Sequence, residues 1–306
     1  MHTSVLLEES VSALVVHPDG IYVDGTFGRG GHSRAILARL GQAGRLIGLD
    51  RDPDAVAVAR ALAREDPRFS TCQGSFGAIG ALLGTLGVSR RVDGILLDLG
   101  VSSPQLDRAE RGFSFAANGP LDMRMDPGSG LSAAQWLAGA ERSEIERVLR
   151  DFGDERFAKR IARAVVEARA ETPITTTAQL AELVARAVPT REPGKHPATR
   201  TFQALRIQVN DELGELRGCL NQVCDLLGDA GRLVVISFHS LEDRIVKRFI
   251  RDEAQGPKIP KGVPVQASET RGRLRAMGKP LRPSADEVLG NPRSRSAVMR
   301  VAERLA

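Results

Sequence analysis

The run Gly20-Ile21-Tyr22-Val23-Asp24-Gly25-Thr26-Phe27-Gly28-Arg29-Gly30-Gly31-His32 constrains this chain most. A short β-rich segment, Ile21 to Val23, ends in an acid. Glycines then crowd a turn, and helical spacing begins at about Ser33. Strand, glycine-rich loop and helix in that order place bare backbone at the carboxyl edge of a parallel sheet, where a ligand can approach closely. Residues without a Cβ supply both the sharp turn and the room.

The pattern continues down the chain. Arg45 to Asp50 reads as a buried strand ending in a carboxylate, and Asp52-Pro53 opens a helix, with Asp52 as N-cap and Pro53 in the first turn. A third strand is expected near Phe69 to Gln73, leading into Gly74-Ser75-Phe76, and a fourth over Val92 to Leu99, again closing on an acid. Alternating strands and helices of this length predict an α/β fold with a parallel sheet. From Gln105 to Pro197 the strand signal gives way to helical spacing, with Ser143 and Glu146 read as a capping box and helices over Asp154 to Ala170 and Thr177 to Val188. One helix over Ala198 to Leu227, a fifth strand over Leu233 to Phe238, a helix over Leu241 to Ile250 and a last strand over Ser294 to Val301 then restore the α/β pattern. The expected organisation is an α/β domain, 1–105 and 198–306, interrupted by an all-helical insertion, 106–197.

Composition excludes several classes. The first nine residues carry Glu8 and Glu9 and lack a basic leader, which argues against a signal peptide. No apolar run approaches the roughly 20 residues needed to span a bilayer, so no membrane partner is expected. Three cysteines, Cys72, Cys219 and Cys224, show neither metal spacing nor an even disulfide set and suit a reducing cytoplasm. The five histidines form no metal-ligand pattern. Net charge is +5, but residues 244–306 hold 15 Lys/Arg against 6 Asp/Glu while the rest sums to −4. That basic C-terminal stretch points to an anionic partner, nucleic acid first.

Asp24, Asp50 and Asp98 each close a strand, so three carboxylates are expected to gather at the glycine-rich mouth. Asp50 lies 22 residues after Gly28, near the spacing at which an acid takes ribose hydroxyls. Two ligands fit: a nicotinamide dinucleotide, which would want G-x-G-x-x-G straight after the strand, and S-adenosylmethionine (AdoMet). The loop resembles the acid-x-G-x-G-x-G turn of class I AdoMet methyltransferases, with Thr26 replacing the first glycine.

Longer motifs narrow the resemblance. His2-x-Ser4-Val5-Leu6-Leu7-x-Glu9, Asp24-Gly25-Thr26-Phe27-Gly28-x-Gly30-Gly31-His32-Ser33 and Asp98-Leu99-Gly100-Val101-Ser102-Ser103-Pro104-Gln105 are similar to the RsmH/MraW family. So are His196-Pro197-Ala198-x-Arg200-x-Phe202-Gln203-Ala204-Leu205-Arg206-Ile207, Ile236 to Arg244, and Asn291 to Ala297. The match runs in order over essentially the whole chain. It implies a class I, Rossmann-like AdoMet-dependent methyltransferase with an inserted helical domain. The implied reaction is methylation of the exocyclic N4 of a cytidine in the decoding region of 16S rRNA, in the 30S subunit; a homodimer stays open.

By the same resemblance Gly30, Gly31, His32, Asp50, Phe76, Asp98 and Gln105 contact AdoMet. The residue chemistry agrees: Asp50 for the ribose, Phe76 against the adenine, Asp98 near the methionine end. His32, at a helix start, has a local hydrogen bond as its other reading. The N4 lone pair is delocalised into the pyrimidine, so the enzyme must accept N–H hydrogen bonds as it aligns N4 with the methyl group. Asp98 and the turn containing Ser102, Ser103 and Pro104 are the candidates. Many amino-methyltransferases carry an aromatic where this chain has Gln105; Phe113, Phe115, Phe202 and Phe238 are alternative stacking partners. Arg200, Arg206, Arg244, Lys247, Lys258, Lys261 and the Arg271–Arg275 run are expected on RNA phosphates, and His239 either on the base or capping a helix. An AdoMet enzyme acting on another amine and a noncatalytic RNA-binding assembly factor are the rival readings.

Overall fold

The computed structural model describes residues 4–88, 91–190, 194, 196–256 and 271–306. It resolves into two compact units: Met1–Gly100 with Leu213–Ala306, and Val101–Glu212.

The first unit contains α1 (Leu7–Leu14), β1 (Ile21–Asp24), α2 (Gly31–Arg39), β2 (Arg45–Asp50), α3 (Pro53–Glu65), β3 (Phe69–Gln73), α4 (Ile79–Thr85) and β4 (Val92–Asp98). The second unit contributes α5 (Ser103–Asp107), α6 (Ala133–Gly139), α7 (Arg142–Gly153), α8 (Ala158–Glu171), α9 (Thr177–Ala187) and α10 (Thr199–Asn210). The chain then returns through α11 (Glu212–Leu226), β5 (Leu227–Ser237), α12 (Ser240–Gln255), β6 (Leu274–Ala276), α13 (Ala285–Gly290) and β7 (Val298–Arg304).

The seven strands form one sheet in the order β3-β2-β1-β4-β5-β7-β6. β1 to β5 pair in parallel, whereas β7 runs antiparallel to both β5 and β6. The sheet is therefore mixed, a departure from the all-parallel reading. Alternate residues feed two cores: Ile21, Val23, Ile95, Leu97, Leu233 and Val235 enter one, and Tyr22, Leu96, Val234, Ile236 and Met299 the other. Helices covering both faces explain why these strands read as unbroken apolar runs. The single Tyr22 is fully buried, and its hydroxyl accepts from the Val16 and His17 amides while donating to the His17 carbonyl.

The second unit packs its own core around Ile145, Leu149, Ile161, Leu180, Val184, Phe202 and Leu205. It extends past Pro197, because α10 buries Phe202, Ala204 and Leu205 in that core. The single helix expected over Ala198 to Leu227 is two helices. Asp211, at φ 46°, turns left-handed between them and ends α10. Ser143 is not a cap, since α7 already starts at Arg142 with Glu141 before it, and α8 starts at Ala158 rather than Asp154. Thr176, by contrast, caps α9 and accepts from the Gln179 amide. Among the described residues no helix is long and apolar enough to cross a membrane.

Candidate active site

The site of the first unit is built where β2, β1 and β4 lie side by side and end in Asp50, Asp24 and Asp98. Gly28 and Gly30 take left-handed φ values of 54° and 75°, and a Cβ on Gly30 would sit 2.7 Å from the Phe27 ring. The loop is therefore open to glycine alone at that point. A Cβ on Gly31 would overlap the Ser4 hydroxyl, so the N-terminal segment lies directly against the start of α2.

The three carboxylates do not share one role. Asp24 is 1% exposed and lies beneath the loop, accepting from the Ser33 hydroxyl at 2.7 Å and the Thr26 amide at 3.2 Å. It fastens the loop to α2, and burial pushes its pKa up. That corrects the expectation of three acids at the mouth. Asp50 accepts from the Gly28 amide at 2.7 Å and the Asp52 amide at 2.9 Å, and burial pushes it up to about 6 against those hydrogen bonds. Asp98 is also pushed up to about 6, chiefly by burial; the neighbouring His32 opposes the shift, and Asp24 and Glu242 add to it. Its Oδ1 is buried with no hydrogen-bond partner, whereas Oδ2 lies 3.5 Å from His32 Nδ1. An unpartnered buried carboxylate oxygen is costly unless a ligand satisfies it.

Thr26, read only as a substitute for glycine, joins the ends of two strands: its hydroxyl accepts from the Asp98 amide at 2.6 Å. His32 is 5% exposed, with Nε2 3.2 Å from the Val5 carbonyl. Phe76 follows β3, is half-buried and opens a short turn, which Ser75 caps through the Gly77 amide. Ser75 in turn donates to Glu215 on α11, a support no local motif announced. At the end of β5, Glu242 accepts from the Phe238 amide at 2.8 Å, and His239 Nε2 lies 3.1 Å from Glu242 Oε1. His239 thus packs on the start of α12. Phe238, half-buried beside Gly100, is the stacking candidate that belongs to this unit.

In the second unit Ser102, Ser103, Pro104 and Gln105 form the first turn of α5, and Gln105 Oε1 accepts from the Ser102 amide at 2.9 Å. Phe113 and Phe202 are buried, and Phe115 packs on both Phe202 and His196. Arg206 forms a bidentate pair with Glu212, both distances 2.7 Å, and so closes the turn after α10. This engagement sets Arg206 apart from an open phosphate contact. Arg200 donates to the Asp154 carbonyl at 3.0 Å.

Arg244 and Lys247 are exposed on α12, together with Arg248 and Arg251. In the Arg271–Arg275 run, Arg273 pairs with Glu253 at 2.7 Å and Arg275 pairs with Glu303. His2, Lys258 and Lys261 lie outside the described residues.

Residues 1–305 match the model of the MraW methylase family. A protein of Thioalkalivibrio sulfidiphilus (strain HL-EbGR7), named ribosomal RNA small subunit methyltransferase H, is 61% identical over 306 residues, spanning 100% of this chain and 98% of its own. Among solved structures, an rRNA methylase from Streptococcus thermophilus aligns over 100% of this chain and 99% of its own, at 10% identity and a TM-score of 0.43. Fibrillarin from Aeropyrum pernix, solved with AdoMet bound, aligns over 96% of this chain and 73% of its own, at 9% identity and a TM-score of 0.38.

Proposed function

The chain belongs to the MraW methylase family, and on that premise we propose that it methylates the exocyclic N4 of a cytidine in the decoding region of 16S rRNA, using AdoMet. The buried, unpartnered Oδ1 of Asp98 carries this reading. An amide nitrogen or a hydroxyl would be a poor nucleophile here, whereas an exocyclic amine has N–H bonds to donate to such an oxygen. Accepting one of them raises the electron density on N4 and receives the proton that the product must lose.

The residues present fit AdoMet. Gly28 and Gly30 let the ligand approach bare backbone, Asp50 keeps acceptor capacity for the ribose hydroxyls, and Phe76 offers an apolar face for the adenine. Bound AdoMet supplies an electrophilic methyl on a sulfonium, whose C–S electron pair stays with sulfur as the C–N bond forms. The chain must hold the amine in line and take up its proton. Ser102 to Gln105 follow Asp98 by a few residues, and their turn is proposed to border the same reaction.

The test is methyl transfer from labelled AdoMet to 30S subunits lacking the modification, followed by nucleoside analysis, with duplex DNA as a second acceptor. N4-methylcytidine in 16S rRNA is the expected product. Label on another nucleoside, or on DNA alone, overturns the assignment.

RNA contact is proposed along α12. Arg244, Lys247, Arg248 and Arg251 recur at i, i+3, i+4 and i+7 and so occupy one helical stripe. The bidentate hold of Arg300 on Asp243, at 2.7 and 3.0 Å, fixes α12 against β7. Replacing Arg244, Lys247 and Arg248 with Ala should weaken RNA binding at every sequence tested. It should also flatten the slope of log K against log salt by about 0.7–0.9 for each phosphate that no longer meets a cation. Binding of AdoMet should be unchanged. An unaltered salt slope would place the RNA elsewhere.

A further inference from the structure

His32 carries two nitrogens, and each faces an acceptor. Nε2 lies 3.2 Å from the Val5 carbonyl, which can only accept, so Nε2 holds a proton. The carbonyl itself is fixed. Val5 and Leu6 are buried, and the Leu6 amide donates to Glu287 Oε1 on α13 at 2.8 Å. With Nε2 committed, Nδ1 turns on Asp98 Oδ2 at 3.5 Å. A bare nitrogen lone pair pointed at a carboxylate oxygen repels it, so the arrangement calls for a proton between the two. Held on Nδ1, that proton makes the ring an imidazolium beside an anion.

We infer that His32 is a positioning residue: it anchors Oδ2 of Asp98 and keeps the carboxylate charged, so that Oδ1 is the oxygen offered to the substrate amine. This rests on the proposed role of Asp98 as the acceptor of the amine N–H. The surroundings make such help necessary. Asp24 at the end of β1 and Glu242 on α12 both disfavour a second negative charge, and burial acts in the same direction. Among the described charged neighbours acting on Asp98, His32 alone favours the anion. The Thr26 hydroxyl is occupied by the Asp98 backbone amide and gives its carboxylate nothing. The N-terminal segment thereby acquires a task. Through Val5 it sets which nitrogen of His32 faces the reacting centre.

Two substitutions separate this role from simple packing. The amide of Gln in His32→Gln can still reach the Val5 carbonyl but presents nothing at the Nδ1 position. That of Asn in His32→Asn can donate towards Asp98 without a charge. The measurement is the pH profile of single-turnover methyl transfer to 30S subunits from pH 5.5 to 9, with the AdoMet dissociation constant determined in parallel.

The wild type should lose rate as pH falls through about 6, the value to which Asp98 is raised. Loss of the opposing charge should move this acid limb upward by about one unit in His32→Gln. The rate lost at pH 7 should then return by pH 9, with His32→Asn intermediate and AdoMet affinity little changed. A loss of equal size at every pH, or a rate that falls in step with AdoMet affinity, would make His32 a packing residue and overturn the inference. Asp98→Asn belongs in the same series: if it keeps the wild-type rate, the role assigned to Asp98 fails whatever His32 does.

Discussion

Asp98→Asn should lower the methyl-transfer rate by roughly 10²–10³ while making the folded protein more stable at pH 8. The first effect follows from removing a preorganised acceptor from the centre where the amine must shed its proton, and factors of that order are typical of such deletions. The second follows from the raised pKa. A carboxyl held at about 6 in the folded chain, against 3.8 ordinarily, contributes stability below about pH 4 and loses it as pH rises through 6. At pH 8 the folded protein therefore carries a buried anion at a cost on the order of 1–3 kcal/mol. Asn is neutral throughout and nearly isosteric. The variant should lead the wild type in urea unfolding at pH 8 and lose that lead by pH 4; the weaker interaction with His32 offsets part of the gain. A variant less stable than wild type at pH 8 would mean that Asp98 is held as a favourable ion pair. The site would then carry no stored strain.

The same contrast marks how far the site and the fold could be read from residue order alone. The parallel half of the sheet was legible because β1, β2, β4 and β5 are buried on both faces and say so in continuous apolar runs. β6 was not, being three residues long with two exposed, and neither was the direction of β7, which pairing partners decide and composition does not. The break at Asp211 left no mark either: Asn210-Asp211-Glu212 holds neither Gly nor Pro, and apolar spacing runs through both flanking helices.

In the site, residue type and strand-end position pointed to Asp24, Asp50, Asp98 and the glycine loop. The sequence was silent on which oxygens the fold consumes. Ser33 and Thr26 occupy Asp24, Glu212 occupies Arg206, and Oδ1 of Asp98 is left over. Those outcomes depend on residues brought together across the fold. The partner that sets the ring of His32 is 27 positions away, in a segment whose motif carried no chemistry of its own.

Asp50→Ala should weaken AdoMet binding by about 10²-fold or more, and the reason is that this carboxylate serves the loop and the ligand together. Its two oxygens accept from the Gly28 and Asp52 amides at 2.7 and 2.9 Å, and the first of these holds the loop where Gly28 turns left-handed. Hydrogen bonds to a charged acceptor are worth about 1.5–3 kcal/mol each. Losing those to the ribose alone would account for the factor, since about 1.4 kcal/mol is tenfold; the freed amides add to it where water does not reach them. Asn is not a rescue: its carbonyl can accept from one amide, but its NH₂ would then oppose the other.

Because burial raises Asp50 to about 6, wild-type binding should also weaken as pH falls through that value, by up to about tenfold per unit below it. Asp50→Asn should bind weakly at all pH values and show no such step. Calorimetric titration with AdoMet at pH 5, 6 and 8 distinguishes these outcomes. Wild-type affinity in Asp50→Asn at pH 8 would remove Asp50 from the cofactor site and leave it as a loop brace, the role Asp24 already fills beneath the neighbouring strand end.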